Sequence, residues 1–515
     1  MNEASSGNGS LLPASRRVAL AAILVLGGSL RFAMLSRQGL LLFDEGQLIL
    51  EARAYSRLWS EWLGTLAGSS QNRGSARRAL AATVSTCRIT FGKPAHNLLL
   101  AAALTVERRA DRATIALSAA AGTATIWLAY LIGAACFGHA TGLLGALLLA
   151  LSPYHILYSR EGLSDALTVL FWAGAMLAWL KAETDADADA DGNADISAAI
   201  SGICGGLSFA TNYRQIFLPA FFALLALLKA ARNRGRGGTW VRRYAFWVCG
   251  FVLVIAAFEA PYRAWSAAAA RENARFPVGT YLGQLAQLIG YHGGQGFGTT
   301  GWRAFGYYLL RWEGLLSLCW LLAVLPFQLA RWRGADAVLN LGTLVPWLLF
   351  SAYWDNASRF FTLLLPFIAV LKARWLLHAL SRVGLRSGAA VSRAIAITAV
   401  LLAALPAMRL IPRPTPYLDA AGFLSAAGAP RHLSTNSRLG GAYLGENQAL
   451  PIPPSPAEVV KLRRQGWRFA VTDLQVLFGG FDRPERRYAT AAWIAKRPPA
   501  VSFTRRKSAR RRFNP

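Results

Sequence analysis

The sequence predicts a polytopic α-helical membrane protein that carries a small α/β module near its C-terminal end, and three observations predict it. The 515 residues are 54% hydrophobic and only 16% charged, where a soluble chain carries about 25% charged residues. Apolar windows of roughly 17 to 22 residues recur along most of the length, each enough to cross about 30 Å of hydrocarbon as a helix. After the Pro-rich break "PRPTP" the pattern changes to short helices alternating with strands.

Windows and loop charges together give about eleven spans: 18–36, 113–136, 140–157, 165–181, 196–212, 214–230, 244–260, 308–330, 337–353, 360–378 and 394–411. Arg16 and Arg17 precede the first apolar run, which has no small-residue cleavage site and reads as an uncleaved signal anchor. With the N-terminus inside, the short inner loops 229–243, 331–336 and 372–393 are all basic, as the positive-inside rule asks. The first outer segment, 37–112, is also Arg-rich; segments beyond about 60 residues cross largely regardless of charge. Within it "KPAHNLLLAAALTV" is apolar but short, and predicts a helix lying at the interface. Residues 1–411 then form the transmembrane domain, 412–485 the outer α/β module and 486–515 a basic tail.

In the module, "YLDAAGFLSAAG" predicts a helix and "RHLST" a strand. "SPAEVVKLRRQG" predicts a second helix, with Ser455 as N-cap and Pro456 in its first turn, and "WRFAVTDL" a second strand. The acidic run "TDADADADGNAD" imitates a calcium loop, but Ala198 stands at the twelfth position, where a bidentate Glu is needed, so it reads as a solvated linker. "GFGTTG" lacks the strand and the acidic residue of a dinucleotide loop. The five cysteines are scattered without a disulfide or zinc pattern, and most of the Trp residues read as interfacial anchors.

A net charge of +29 points to anionic partners, in the first place lipid headgroups and phosphate-bearing substrates. No nucleic-acid motif accompanies it, so no specific nucleic acid is expected. The topology gathers charged groups on the outer surface: Asp44 and Glu45 after the first span, Lys93 and His96 at the interfacial helix, Arg160, Glu161 and Asp165 after the third, Tyr213 and Arg214 in "TNYRQIFLP", and Asp355 and Arg359 in "WDNASRFF". Charges at such depth cost about 2.5 to 3.5 kcal/mol at a helix centre and less near the interface. Snorkelling accounts for isolated Arg residues but poorly for short-stemmed carboxylates, which favours a functional role for Asp44 and Asp165. Both signs at a lipid boundary suit transfer of a group from a lipid phosphate to a hydroxyl: a carboxylate takes the proton, cations stabilise the leaving phosphate, and a second carboxylate steadies positive charge at the sugar carbon. Arg311 and Glu313 near the eighth span suit mutual neutralisation or cavity lining equally.

The order of an Asp-Glu pair at the first span's exit, then "GKPAHNLLLAA", "LLGALLLALSPYHILYSREGLSD", "YRQIFLP" and "SRFFTLLLPFIAV" resembles the family-C (GT-C) membrane glycosyltransferases, in particular the RgtA/B/C/D-like or PMT-2 superfamily of protein mannosyltransferases and aminoarabinose transferases. The resemblance implies a GT-C fold and a polyprenyl-phosphate-linked sugar as donor. It also implies catalytic roles for Asp44, Asp165 and Glu45, and contact of Lys93 with the donor phosphate. His96, Arg160, Glu161, Tyr213, Arg214 and Arg359 complete the expected substrate site, with a glycan, lipid or protein as acceptor, on the outer face of a plasma membrane. Gly46 departs from the family pattern, where Ala is common, and Pro94-Ala95 replaces a Pro-Pro pair. A divalent metal is left open, since Asp44-Glu45 alone is no metal signature. The rival reading is a transporter or flippase of lipid-linked or small anionic substrates, which calls for repeated span groups and helices broken near the midplane.

Overall fold

The computed structural model describes residues 14–40, 42–67, 70–86, 92–187, 191–232, 237–271, 279–293, 301–332, 334–353, 357–382, 415–428, 431–434, 437–453, 455–467 and 469–471. In chain order the membrane part comprises α1 (Ala14–Phe32), α2 (Leu35–Gln38), α3 (Phe43–Ala67), α4 (Ser70–Thr86), α5 (Pro94–Val106), α6 (Ala110–Phe137), α7 (His139–Leu151), α8 (Pro153–Tyr158), α9 (Asp165–Asp187), α10 (Asp191–Thr211), α11 (Leu218–Arg232), α12 (Gly237–Arg271), α13 (Tyr281–Gly293), α14 (Gly301–Glu313), α15 (Leu315–Leu329), α16 (Gly334–Ala352) and α17 (Leu365–Arg382). Short 3-10 turns, Tyr213–Phe217 and Ser358–Leu364, lead into α11 and α17.

Eight described helices are long and apolar enough to cross a membrane, and α7 and α15 are apolar but shorter. Together they fill the positions of every predicted span except 394–411, which lies outside the described residues. Two predicted spans are broken. The one at 140–157 divides at Ser152-Pro153, where Pro153 has no N–H to donate and the Ser152 hydroxyl accepts from the His155 amide at 3.2 Å, capping α8. The one at 308–330 divides at Gly314, whose φ of 85° lies in the left-handed region. The acidic run is shorter as a linker than expected: α9 reaches Asp187 and α10 begins at Asp191.

Helix α12 overshoots its predicted span. Its 35 residues give roughly 50 Å at 1.5 Å per residue, more than the hydrocarbon thickness of about 30 Å. Its far end carries Tyr262 and Trp265 into an aromatic cluster with Tyr55 of α3 and Tyr281 of α13. Helices α10 and α12 approach backbone to backbone, because a Cβ at Gly202 would strike the Trp247 carbonyl and one at Gly250 the Ala199 carbonyl. The Trp residues depart from the interfacial expectation: Trp172, Trp179, Trp247 and Trp265 are fully buried. Trp172 packs edge-on against Phe221 at 5.2 Å, and Trp179 lies 5.3 Å from Phe222. Their large apolar surface is used to fill the bundle rather than to anchor it.

The C-terminal module comprises α18 (Pro416–Ala426), β1 (His432–Ser434), α19 (Ser437–Leu444), β2 (Ala449–Pro451), α20 (Pro456–Arg464) and β3 (Phe469–Val471). The strands form a parallel sheet in the order β2-β1-β3. Ser455 caps α20 by accepting from the Glu458 amide at 3.3 Å, as its position before Pro456 predicts. Helix α19 and strand β2, which carry weak periodicity, were not legible in the sequence. The basic tail, Asp355 and most of "GFGTTG" lie outside the described residues.

Candidate active site

Five of the candidate side chains converge. Asp44 stands in the first turn of α3 and pairs with Arg359, Nη1 to Oδ2 at 3.0 Å. Arg359 belongs to the 3-10 turn before α17, and two tyrosines of α8 hold that turn: the Tyr154 hydroxyl donates to the Ser358 carbonyl at 2.5 Å, and Tyr158 bonds to the Ser358 hydroxyl. The Arg214 guanidinium lies 4.1 Å from the centre of the Phe360 ring and 5.2 Å from that of Tyr213, a stacked arrangement available to a planar cation. Asn212 fixes this corner by accepting from the Arg214 amide at 3.2 Å. Asp165 opens α9, 7% exposed. With Asn212, Arg214, Arg359, Phe360 and Thr362 it lines a small cavity.

Lys93 ties the cluster together electrostatically. It is the N-cap of α5, followed by Pro94 in the first turn. Burial lowers its ammonium to about 8; the Asp165 and Asp44 carboxylates oppose that shift, and Arg214 and Arg359 add to it. Burial by itself raises the Asp44 carboxyl, but Arg359, Lys93 and Arg214 together outweigh it and leave Asp44 below its ordinary value. Three cations and the amide end of α5 therefore surround two carboxylates, an environment suited to one further anion.

The remaining candidates are placed differently. Both Glu45 carboxylate oxygens are engaged by the backbone, accepting from the Leu42 amide and from the Gly162 amide at 2.6 Å each. Glu45 is fully buried, so its geometry is that of a clamp between two loops rather than of a group facing a substrate. Arg160 is likewise spent on structure, its Nη1 donating to the carbonyls of Leu30, Arg31 and Ala33 at 3.2, 3.0 and 2.7 Å and so capping the end of α1. His96 is 1% exposed; burial first, and Lys93 second, lower its imidazole to about 3, so it is neutral at pH 7. Glu161 is buried beside the same loop, and Tyr213 serves as the platform under Arg214. Among the described residues no group of three or more His, Cys, Asp or Glu side chains is arranged to hold a metal ion.

Glu51, unmarked in the sequence reading, is fully buried. It accepts from Gln47 Nε2 at 2.7 Å and from Asn97 Nδ2 at 3.3 Å, tying α3 to α5. Its spacing from Asp44 by about two turns of α3 was the available signal. Glu313 does not pair with Arg311, which bonds to the Tyr307 hydroxyl at 3.0 Å. It pairs instead with Lys372 at 3.5 Å and accepts from the Ser317 hydroxyl at 2.5 Å, at one end of a separate cavity.

Residues 93–265 match the family model described as dolichyl-phosphate-mannose-protein mannosyltransferase. Solved structures share the fold over nearly the whole chain. ArnT from Cupriavidus metallidurans, bound to undecaprenyl phosphate, aligns with a TM-score of 0.58 at 13% identity over 92% of this chain and 92% of that one. The oligosaccharyltransferase AglB from Archaeoglobus fulgidus, in complex with an inhibitory peptide and a dolichol-phosphate, aligns with a TM-score of 0.58 at 12% identity over 90% of this chain and 70% of that one. No curated protein sequence matches the chain. The resemblance drawn from the short motifs is thus borne out in the fold, which is that of the GT-C membrane glycosyltransferases.

Proposed function

We propose that this chain, built on the GT-C fold, transfers a sugar from a polyprenyl-phosphate-linked donor to an acceptor hydroxyl at the outer face of a plasma membrane, with its C-terminal module on that same side. The observation that carries the reading is the ion pair of Asp44 with Arg359, electrostatically coupled to Lys93 and Arg214, beside a cavity that Asp165, Arg214 and Arg359 line. Support for the donor class comes from the undecaprenyl phosphate and dolichol-phosphate bound in the two similar structures.

The step balances as follows. The acceptor O–H gives its proton to Asp44, the acceptor oxygen forms a bond to the sugar C1, and the C1–O bond to phosphate breaks with its electron pair going to the phosphate oxygen. The phosphodiester monoanion becomes a monoester that gains one negative charge. Lys93, Arg214 and Arg359 are placed to receive that charge, as electrostatic stabilisation of a leaving group requires. Asp165, across the cluster, steadies the oxocarbenium-like carbon between the two bonds. Pairing with Arg359 keeps Asp44 ionised, and an arriving phosphate offers Arg359 a second partner.

The test is transfer by purified protein in liposomes, supplied with a panel of undecaprenyl- and dolichyl-phosphate-linked sugars and with membrane extract as the acceptor source. Asp44→Asn is expected to lower the rate by about 10² to 10⁴, the scale of a general base, while still binding undecaprenyl phosphate. Wild-type transfer by Asp44→Asn overturns the mechanism.

A further inference from the structure

The geometry points to Tyr443 and helix α19 as a positioning latch that fixes the start of α3, and with it the carboxylate of Asp44, from the C-terminal module. This inference rests on the proposed role of Asp44, and four contacts on both sides of that residue carry it.

Ahead of Asp44, the Leu40 amide donates to the Tyr443 hydroxyl at 2.7 Å, and the Thr415 amide donates to the Gln38 carbonyl at 3.0 Å. Gly39, between them, has φ of 65°, and a Cβ there would lie 3.1 Å from the Tyr443 hydroxyl and strike the Thr415 hydroxyl. Behind Asp44, a Cβ on Gly46 would sit 2.7 Å from the carbonyl carbon and oxygen of Arg438 and 2.7 Å from the Leu439 amide nitrogen. About two turns further, Arg53 donates through Nη2 to the Ala442 carbonyl at 3.0 Å. Leu439 and Ala442 of α19 are buried in one apolar cluster with Leu40, Leu48, Ile49 and Ala52.

The clash at Gly46 is with backbone, which cannot rotate away as a side-chain end can. The missing methyl lets α19 seat directly on the first turns of α3. The Asp44 segment is thereby held at its two ends by residues about 400 positions later in the chain. The contacts act on the backbone that carries Asp44, so the latch is expected to act first on the proton-accepting group.

The experiment compares full-length Gly46→Ala, Tyr443→Phe and Lys461→Ala with wild type in the liposome assay, alongside Asp44→Asn. Lys461 lies on α20, away from the latch, and controls for changes in the module. The expected result for Gly46→Ala and Tyr443→Phe is a fall in kcat of about 10- to 100-fold, the scale that a displacement of roughly 1 Å produces, with donor KM within about twofold of wild type. Lys461→Ala is expected to match wild type. If Tyr443→Phe and Gly46→Ala keep wild-type kcat while Asp44→Asn is inactive, the latch is wrong and the catalytic reading stands. If donor KM rises in step with the loss of kcat, the contacts are merely structural and the latch is equally wrong. Activity in Asp44→Asn removes the catalytic reading itself, and with it the premise of the latch.

Discussion

Arg359 reaches Asp44 across 315 positions of sequence and places its Nη1 atom 3.0 Å from the carboxylate. In sequence they are charges at the outer ends of different spans; in the fold they form one ion pair.

Replacement of Arg359 by Gln removes the strongest of the cations that lower the Asp44 carboxyl, leaving burial to raise it. The ionised form is the proton acceptor, so the acidic limb of the rate profile moves to higher pH in the variant. The same sign holds for stability. In wild type the lowered carboxyl contributes stability that is present above the unfolded value of about 3.9 and is lost as pH falls through the folded value. A profile of kcat/KM against pH checks the first point; an acidic limb that stays in place contradicts it.

Lys93, lowered to about 8, loses its charge as pH rises through that value, so donor affinity should weaken on the alkaline side while wild type still folds. Its lowered value costs stability wherever the unfolded chain would be charged, and stability therefore rises with pH between about 8 and 10.5. Lys93→Met removes the alkaline change in donor KM and raises that KM throughout by roughly 10- to 100-fold, the worth of one charged hydrogen bond at about 1.5 to 3 kcal/mol. Donor titrations across the alkaline range measure both effects.

Glu45→Ala leaves the Leu42 and Gly162 amides without their shared acceptor. The Gly162 amide is buried, and a buried donor left unmade costs about 1 to 3 kcal/mol, so a lowered unfolding temperature and a loosened loop at 160–162 are expected together. Glu45→Gln retains a single carbonyl oxygen and should fall between the two. Hydrogen exchange at the Gly162 amide reports the local effect directly.

Lys372 and Glu313 meet inside the bundle, bridged by Ser317, whose hydroxyl lies 2.5 Å from each of them. Removing one partner leaves an uncompensated buried charge, at a cost of roughly 3 to 5 kcal/mol. Lys372→Met alone should therefore destabilise the detergent-solubilised protein strongly. Combined with Glu313→Leu it should recover most of the loss, which a double-mutant cycle on thermal unfolding resolves.

Much of the fold was legible because its signals are one-dimensional. Length and hydropathy located the spans, and the Ser455-Pro456 cap located α20. What escaped depends on packing between distant segments. Trp172 and Trp179 fill the bundle although most Trp residues read as interfacial anchors, because nothing local distinguishes a Trp that faces headgroups from one that is buried. Arg160 and Arg214 looked alike as outer-end cations; only the arrival of the α1 carbonyls on one and of the Phe360 ring on the other separates them. Gly46 was visible as a departure from a pattern, but the helix that packs on it comes from the far end of the sequence.

The distance in sequence between Asp44 and Arg359 also sets an order of events during synthesis. Asp44 is made 315 residues before its cation, which arrives only after the intervening helices have been synthesised. On the proposed mechanism a chain halted before Arg359 is expected to be inactive, so turnover would read out completed assembly.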